Sequence, residues 1–568
     1  MKKAFSLVFI VLALLLVACN PSVSENSSTE TESPLVREQD TESDTLGHLH
    51  PNPVETSPPI YGGTLQFAVQ TTRSFDAHQR VGYGPTATLP VFNQLVMFNI
   101  NYKDTVLENI VGDLADSWET STDGTEITFH LHPGVKWHDG VPFTADDVIY
   151  SLDKMTDPTR SAISDWFPAY ESSEKIDDYT VKVHLKYPSA GFMLNLAAGE
   201  SQIQSKHLAG TDGQSADFMV GTGPFILDEY LIRVHIKYKR NPNYWKYDQY
   251  GNQLPYLDGV IYYTADSATS SDMLISRRLD LRSTTTGAAT TDTYNYLTQG
   301  APELLWQRRE KEIGTVFFLN TRHHPLDDQR VRHAMGLMID EESLIIGYAG
   351  DARFGIINSG ILPASFGLPK DEVVKIMGWD KSWDERVAEA KSLLTEAGYP
   401  DGFTLNILSL GAEKTQGGAA MIFAEALRVN LNITSDVHTT SQTELFERLD
   451  ADNYDLFAQA LRAEVDPTQL TTFVSSDGYA NYSHYSNSEV DRILSGLDQI
   501  IDPEQRREAV WGIERILLTD LPMLPTGCFI ANLMPYYPWV KNLRWNNMAY
   551  SNICRLEDVW IDESLRTK

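Results

Sequence analysis

Thr128-Phe129-His130-Leu131-His132-Pro133-Gly134-Val135-Lys136-Trp137-His138-Asp139-Gly140-Val141-Pro142-Phe143-Thr144-Ala145-Asp146-Asp147-Val148 passes through strand, turn and helix signals in one short run. Ile127, Phe129 and Leu131 alternate with Thr128, His130 and His132 after the turn pair Asp123-Gly124, which is the period of a half-buried hairpin strand. His130 and His132 share the polar face, and with no further ligand nearby they read as strand-surface residues rather than a metal pair. Lys136 to Gly140 carry turn chemistry, so His138 and Asp139 are expected to satisfy backbone groups of that turn. Thr144 stands where a helix cap belongs, and Asp146 and Asp147 complement the dipole of the helix that follows.

The same alternation of strands and helices extends outward. Tyr61-Gly62-Gly63 forms a turn before an apolar strand at Thr64 to Val69, and no Gly-Lys-Ser/Thr completes a phosphate loop there. Val181, Val183 and Leu185 mark another strand. Asp328 opens a helix with Val331, Met335 and Met338 inward, and Arg330 and Arg332 are expected on its exposed face. Ser382 and Glu385 have capping-box spacing before a helix that ends at Gly398 and Pro400, and Asp502-Pro503 starts a late helix with Val510, Ile513 and Leu517 inward. No repeat of fixed period appears, so the chain is read as mixed α/β or α+β.

The first nineteen residues differ from all of this. Lys2 and Lys3 precede an apolar run from Ala4 to Ala18, and Leu16-Val17-Ala18-Cys19 resembles a bacterial lipobox, which makes Cys19 the expected lipid attachment site and first mature residue. The run is short for a membrane-spanning helix. Residues 20–59 carry eight acidic residues against the single Arg37 and almost no large apolar side chains, as expected of a disordered tether reaching about 35 Å. The 568-residue chain is 42% hydrophobic, enough for two or three lobes. Its formal net charge is −31, becoming −33 once Lys2 and Lys3 leave with the signal, which excludes a nucleic-acid or anionic-lipid surface as partner. Of three cysteines, Cys528 and Cys554 remain after lipidation, and the sequence leaves open whether they form a disulfide.

Several motifs together resemble extracellular solute-binding proteins of the oligopeptide, dipeptide and nickel class, which are family 5 receptors of ABC importers. Leu114-Ala115-Asp116-Ser117-Trp118-Glu119 and the 128–148 stretch carry the resemblance first. Gly221-Thr222-Gly223-Pro224-Phe225, Asn241-Pro242-Asn243-Tyr244-Trp245 and Tyr256-Leu257-Asp258-Gly259-Val260 follow in order. Phe318-Leu319-Asn320-Thr321-Arg322, then Asp328 to Ala334, and Leu394 to Phe403 continue it. The resemblance implies a two-lobed periplasmic-binding-protein-like fold with a hinge and a subdomain inserted in the first lobe. The implied boundaries are 1–18 signal, 19–59 tether, 60–100 lobe I, 101–217 inserted subdomain, 218–298 lobe I, 299–529 lobe II and 530–568 lobe I. Gly223-Pro224 is implied to lie near the hinge.

The implied function is capture of a peptide or peptide-sized solute in an interlobe cleft, with delivery to a permease in the cytoplasmic membrane. A monomer touching the membrane only through its lipid is expected, with no cofactor, no metal and no reaction. In peptide-binding members an acidic residue after the late Tyr-Asp segment holds the peptide's amino terminus. Here Tyr454-Asp455-Leu456-Phe457-Ala458-Gln459 leads to Arg462, Glu464 and Asp466, and the usual Trp-x-x-Asp approach is absent. Arg462 and Glu464 are expected to face the solute and Asp466 to close the turn before Pro467, with Trp306 and Asn320 as further candidates from lobe II. A metal-chelate or sugar-conjugate receptor is the alternative on the same scaffold. An envelope hydrolase would need a nucleophile that no Gly-x-Ser-x-Gly elbow supplies.

Overall fold

β1 (Thr64–Val69) begins the first sheet, and the chain then leaves for a separate four-stranded sheet made of β2 (Ala115–Thr120), β3 (Glu126–Leu131), β4 (Tyr170–Asp177) and β5 (Thr180–Leu185). It returns as β6 (Phe225–Leu231), β7 (His235–Arg240), β8 (Gly259–Thr264), β9 (Leu281–Arg282) and β10 (Leu305–Arg309). The second lobe supplies β11 (Ile313–Leu319), β12 (Gly355–Ile357), β13 (Thr404–Leu410), β14 (Thr434–Thr440), β15 (Leu456–Arg462) and β16 (Met523–Ile530), and β17 (Asn532–Tyr536) closes the first sheet. The orders are β10-β17-β9-β1-β8-β7-β6, β12-β16-β11-β15-β13-β14 and, for the inserted sheet, β2-β3-β5-β4. The computed structural model describes residues 52, 55–70, 74–79, 84–283, 291–309, 313–357, 360–362, 366–410, 416–462, 466–530, 532–545 and 556–566. Cys19, the tether apart from Asn52 and residues 55–59, Glu464 and Cys554 lie outside the described residues. Asn52 is buried and its amide donates to the Ile100 carbonyl at 2.8 Å, so this end of the expected disordered tether packs on the fold.

Each lobe owns a core. Leu65, Phe67, Val260, Leu281, Leu304 and Met534 belong to one apolar cluster, which the inserted sheet extends through Phe129, Val181 and Leu152. Val316, Phe317, Val331, Ile407, Phe457 and Leu524 belong to the other. The lobe assignment of β10 differs from the boundary drawn at 299, because β10 pairs with β17 and Leu304 packs in the first core. Pairing along β10 is long-range, so the sequence pattern gives no notice of it.

The opening motif folds as its local chemistry requires. β3 buries Ile127, Phe129 and Leu131. The backbone N–H of Thr144 donates to Asp147 Oδ2 at 3.0 Å at the start of α1 (Ala145–Met155). In α2 (Ala190–Leu196), Ser189 Oγ accepts from Phe192 N. Asp328 caps α3 (Gln329–Gly336) by accepting from Arg330 N at 2.8 Å. Ser382 and Glu385 form the capping box of α4 (Trp383–Ala397), which ends on Gly398 at φ 94°. α5 (Ser488–Leu497) and α6 (Pro503–Asp520) follow, the latter capped by Asp502.

Arg332 corrects the exposed-face expectation. It is buried, and its guanidinium donates to the carbonyls of Leu326 at 2.8 Å and Asp520 at 2.7 and 2.9 Å, tying α3 to the end of α6. Gly223-Pro224 leads into β6, the edge strand on the side of the first sheet opposite β10, and so lies away from the passage between lobes.

Candidate functional site

The passage between lobes is built from two antiparallel strand pairs. β10 and β17 pair from Leu305↔Tyr536 to Arg309↔Asn532, and β11 and β16 pair from Gly314↔Phe529 to Phe318↔Met523. The chain thus crosses once between 309 and 313 and returns between 530 and 532. Strand direction follows from these pairings. β9 is antiparallel to β17, and β1 is parallel to both β9 and β8, so β1, β8 and β9 all end toward the crossing. In the second sheet β15 is antiparallel to β11 and β13 is parallel to β15 and β14, so these three also end there. The carboxyl ends of parallel strands from both lobes therefore face one gap, the position at which open α/β sheets bind ligands.

Three arginines end strands at this gap, the first being Arg309 at the end of β10. Arg462 closes β15 in register with Ile313, the first residue of β11 after the crossing. Arg282 closes β9; it is 1% exposed, its Nη2 donates to Ser267 Oγ at 2.7 Å, and burial holds its pKa down to about 10. Sequence reasoning missed Arg282 because it sits in no motif, only after the apolar Leu279 and Leu281.

The other expected site residues are placed differently. Asn320 follows the far end of β11, about 20 Å from the crossing at strand rise, and its amide donates to Asp452 Oδ1 at 2.7 Å and the Tyr454 carbonyl at 3.2 Å. It serves the loop there and leaves the candidate set. Trp306 belongs to β10 in the first lobe, not lobe II, and packs on Tyr294 with ring centroids 4.7 Å apart. Asp466 caps the turn Pro467–Leu470 by accepting from Thr468 N at 3.0 Å and pairs with Arg506, both side chains almost wholly buried. That pairing uses the Asp466 charge within the protein.

Asp466 lies against a clasp that joins the inserted subdomain to the second lobe. The Asp498 carboxylate accepts from Ser189 Oγ at 2.7 and 2.8 Å and from Gly191 N at 2.8 Å, while its carbonyl accepts from Ala190 N at 2.9 Å. Burial raises the Asp498 pKa; Ser189 and Gly191 pull it back, and the Asp466 charge adds to the rise. Arg507 reaches Glu108 at 3.0 Å, and Val106 packs in the second lobe's core.

His138 is a turn residue. Its Nδ1 accepts from Gly221 N at 3.3 Å and its Nε2 donates to the Gly223 carbonyl at 3.0 Å, so both ring nitrogens are committed to backbone. Burial pushes its pKa down to about 4. Asp139 likewise serves the turn, Oδ1 accepting from Val141 N at 3.1 Å, while its Oδ2 meets His207 at 2.7 Å.

Residues 109–481 match the family described as bacterial extracellular solute-binding proteins, family 5 Middle. The chain belongs to this family. Family 5 proteins are transport receptors rather than enzymes, and those similar to this chain include peptide-binding receptors. The chain is 25% identical over 489 residues to di/tripeptide-binding protein 3 of Pseudomonas aeruginosa, covering 80% of this chain and 86% of that one. It is 26% identical over 586 residues to heme-binding protein A of Haemophilus influenzae, covering 97% and 98%. The structure of HbpA2 from Haemophilus parasuis superposes with a TM-score of 0.74 at 22% identity, over 88% of this chain and all of that one. The two-lobed periplasmic-binding-protein fold with its inserted subdomain is thereby established for this family 5 chain. Among the described residues no helix is long and apolar enough to cross a membrane.

Proposed function

We propose that this family 5 protein captures a peptide or peptide-sized solute between its lobes and delivers it to an ABC importer, while Cys19 anchors it by lipid to the outer side of the cytoplasmic membrane. The observation that carries the reading is the convergence of parallel-strand carboxyl ends from both sheets on the double crossing. Among the described residues two strand connections link the lobes there, so lobe rotation closes the gap around a solute and creates a composite surface for a permease to read. Arg462 and Glu464 are the proposed solute contacts. Glu464 is the natural partner for a ligand ammonium and Arg462 for a carboxylate. The tether keeps receptor and importer at high effective concentration.

Native mass spectrometry of the small molecule that co-purifies with the chain, followed by thermal shift with peptides, tests this. Ligand at a hundredfold above its dissociation constant should stabilise the fold by about 2.7 kcal/mol. Conversion of that ligand in proportion to protein and time would refute the receptor reading. Cys19→Ser should release the protein from membranes or stop its processing; unchanged mass and membrane attachment would refute the anchor.

A metal-chelate receptor is the second reading. It is favoured by the match to heme-binding protein A over nearly the full length of both chains. A ligand that absorbs visible light on purification, with no peptide response, would select it.

A further inference from the structure

A cavity of about 240 Å³ is lined, among the described residues, by residues between Asp76 and Val220. Among the described residues none from the second lobe lines it, so lobe rotation does not close it. Its floor is a buried polar network. Lys154 Nζ donates to Asp76 Oδ2 and to Gln204 Oε1, both at 2.6 Å, and faces the Phe218 ring at 5.4 Å. Asp76 Oδ1 accepts from Gln204 Nε2 at 2.8 Å and from His78 N at 3.2 Å. The one carboxylate on the floor is thus already ion-paired to Lys154.

Arg160 stands apart from this network. Its guanidinium lies over the Tyr150 ring at 5.4 Å, and among the described residues no carboxylate comes within ion-pair distance of it. The lining holds one carboxylate, Asp76, against two cations, Lys154 and Arg160, an excess of one positive charge. The valences left open are the donors of the Arg160 fork, while Phe92, Leu208 and Val220 make another wall apolar.

We propose that this cavity binds a small monocarboxylate with an apolar body, its carboxylate held by Arg160 and its body laid against Phe92, Phe218 and Val220. The planar guanidinium matches a carboxylate with two parallel hydrogen bonds, and the aromatic ring behind it fixes its orientation. An α-ammonium would meet two cations, Lys154 and Arg160, and a single carboxylate already ion-paired to Lys154, so amino acids are disfavoured. A phosphate dianion brings one charge more than the excess it meets. The site is independent of the interlobe gap and of what that gap binds.

The test uses the full chain, titrated with 3-methylbutanoate by calorimetry and ligand-observed NMR, with leucine and inorganic phosphate as comparison probes. Saturable binding of 3-methylbutanoate is expected, at least tenfold tighter than that of leucine or phosphate. Arg160→Gln should weaken it at least tenfold, and Arg160→Lys should fall between the two. Val220→Trp, which fills the cavity and leaves Arg160 in place, should abolish it. Equal affinity in Arg160→Gln, retention in Val220→Trp, equal binding of leucine or phosphate, or no saturation by tens of millimolar would each overturn the assignment.

Discussion

Gly191→Ala is a wedge whose effect follows from distances across the clasp. Gly191 is the second residue of α2, where alanine alone would favour the helix by about 0.5–1 kcal/mol. The added Cβ, however, would stand 2.4 Å from Asp466 Oδ2 and 2.8 Å from Asp498 Oδ1, far inside van der Waals contact. Neither carboxylate is free to retreat. Asp466 is held by Arg506 and by the Thr468 N–H, and Asp498 by Ser189 Oγ. Overpacking against fixed groups costs about 1–3 kcal/mol, so a net loss of roughly 0.5–2 kcal/mol is expected at the contact between inserted subdomain and second lobe. If solute binding draws on the clasped arrangement, affinity should fall about 2- to 30-fold. Calorimetry with the co-purifying ligand measures the affinity, and the distance between spin labels on the inserted subdomain and the second lobe measures the separation. Unchanged affinity together with an unchanged or shorter distance would refute the wedge.

The buried histidines give a pH dependence with a definite sign. His138 and His78 have folded pKa values pushed down to about 4 by burial, against 6.5 for the ordinary imidazole. The stability held by their neutral forms is therefore full above pH 6.5 and lost as pH falls toward 4, at up to about 1.4 kcal/mol per pH unit for each. Melting curves from pH 7.5 to 4.5 should be steeper for the native chain than for His138→Gln, and parallel curves would contradict this. Glu514 is wholly buried and accepts the backbone N–H groups of Ile361 at 2.8 Å, Leu362 at 3.0 Å and Leu368 at 2.6 Å. Glu514→Ala strands all three, and with roughly 1–3 kcal/mol for each unsatisfied donor, urea unfolding should show a loss above about 3 kcal/mol; less than 1 kcal/mol would mean the loop is held by other contacts. Glu464→Gln should cost about 2–5 kcal/mol of solute binding if it holds an ammonium, and Arg462→Ala a similar amount if the solute carries an anion. Unchanged calorimetric affinity in both variants removes this segment from the site.

What the sequence determined by itself was chemistry closed within a few residues. The period-two burial of Ile127, Phe129 and Leu131, the caps at Asp328, Ser382 and Asp502 and the αL stop at Gly398 each depend on neighbours no more than about one turn away. The family followed as well, because its motifs are such local units strung in a fixed order. Tertiary structure alone decided where charge is spent. Arg332 has the spacing of an exposed helix residue but holds a carbonyl 188 residues away, and Asp466 is matched by Arg506, 40 residues on. Asn320 and Trp306 took their places from strand pairing rather than from their neighbours. Arg507 meets Glu108 across 399 residues. A side chain's local pattern says which way it points from its own strand or helix, whereas the free energy of burying its charge depends on which distant partner the fold brings opposite it.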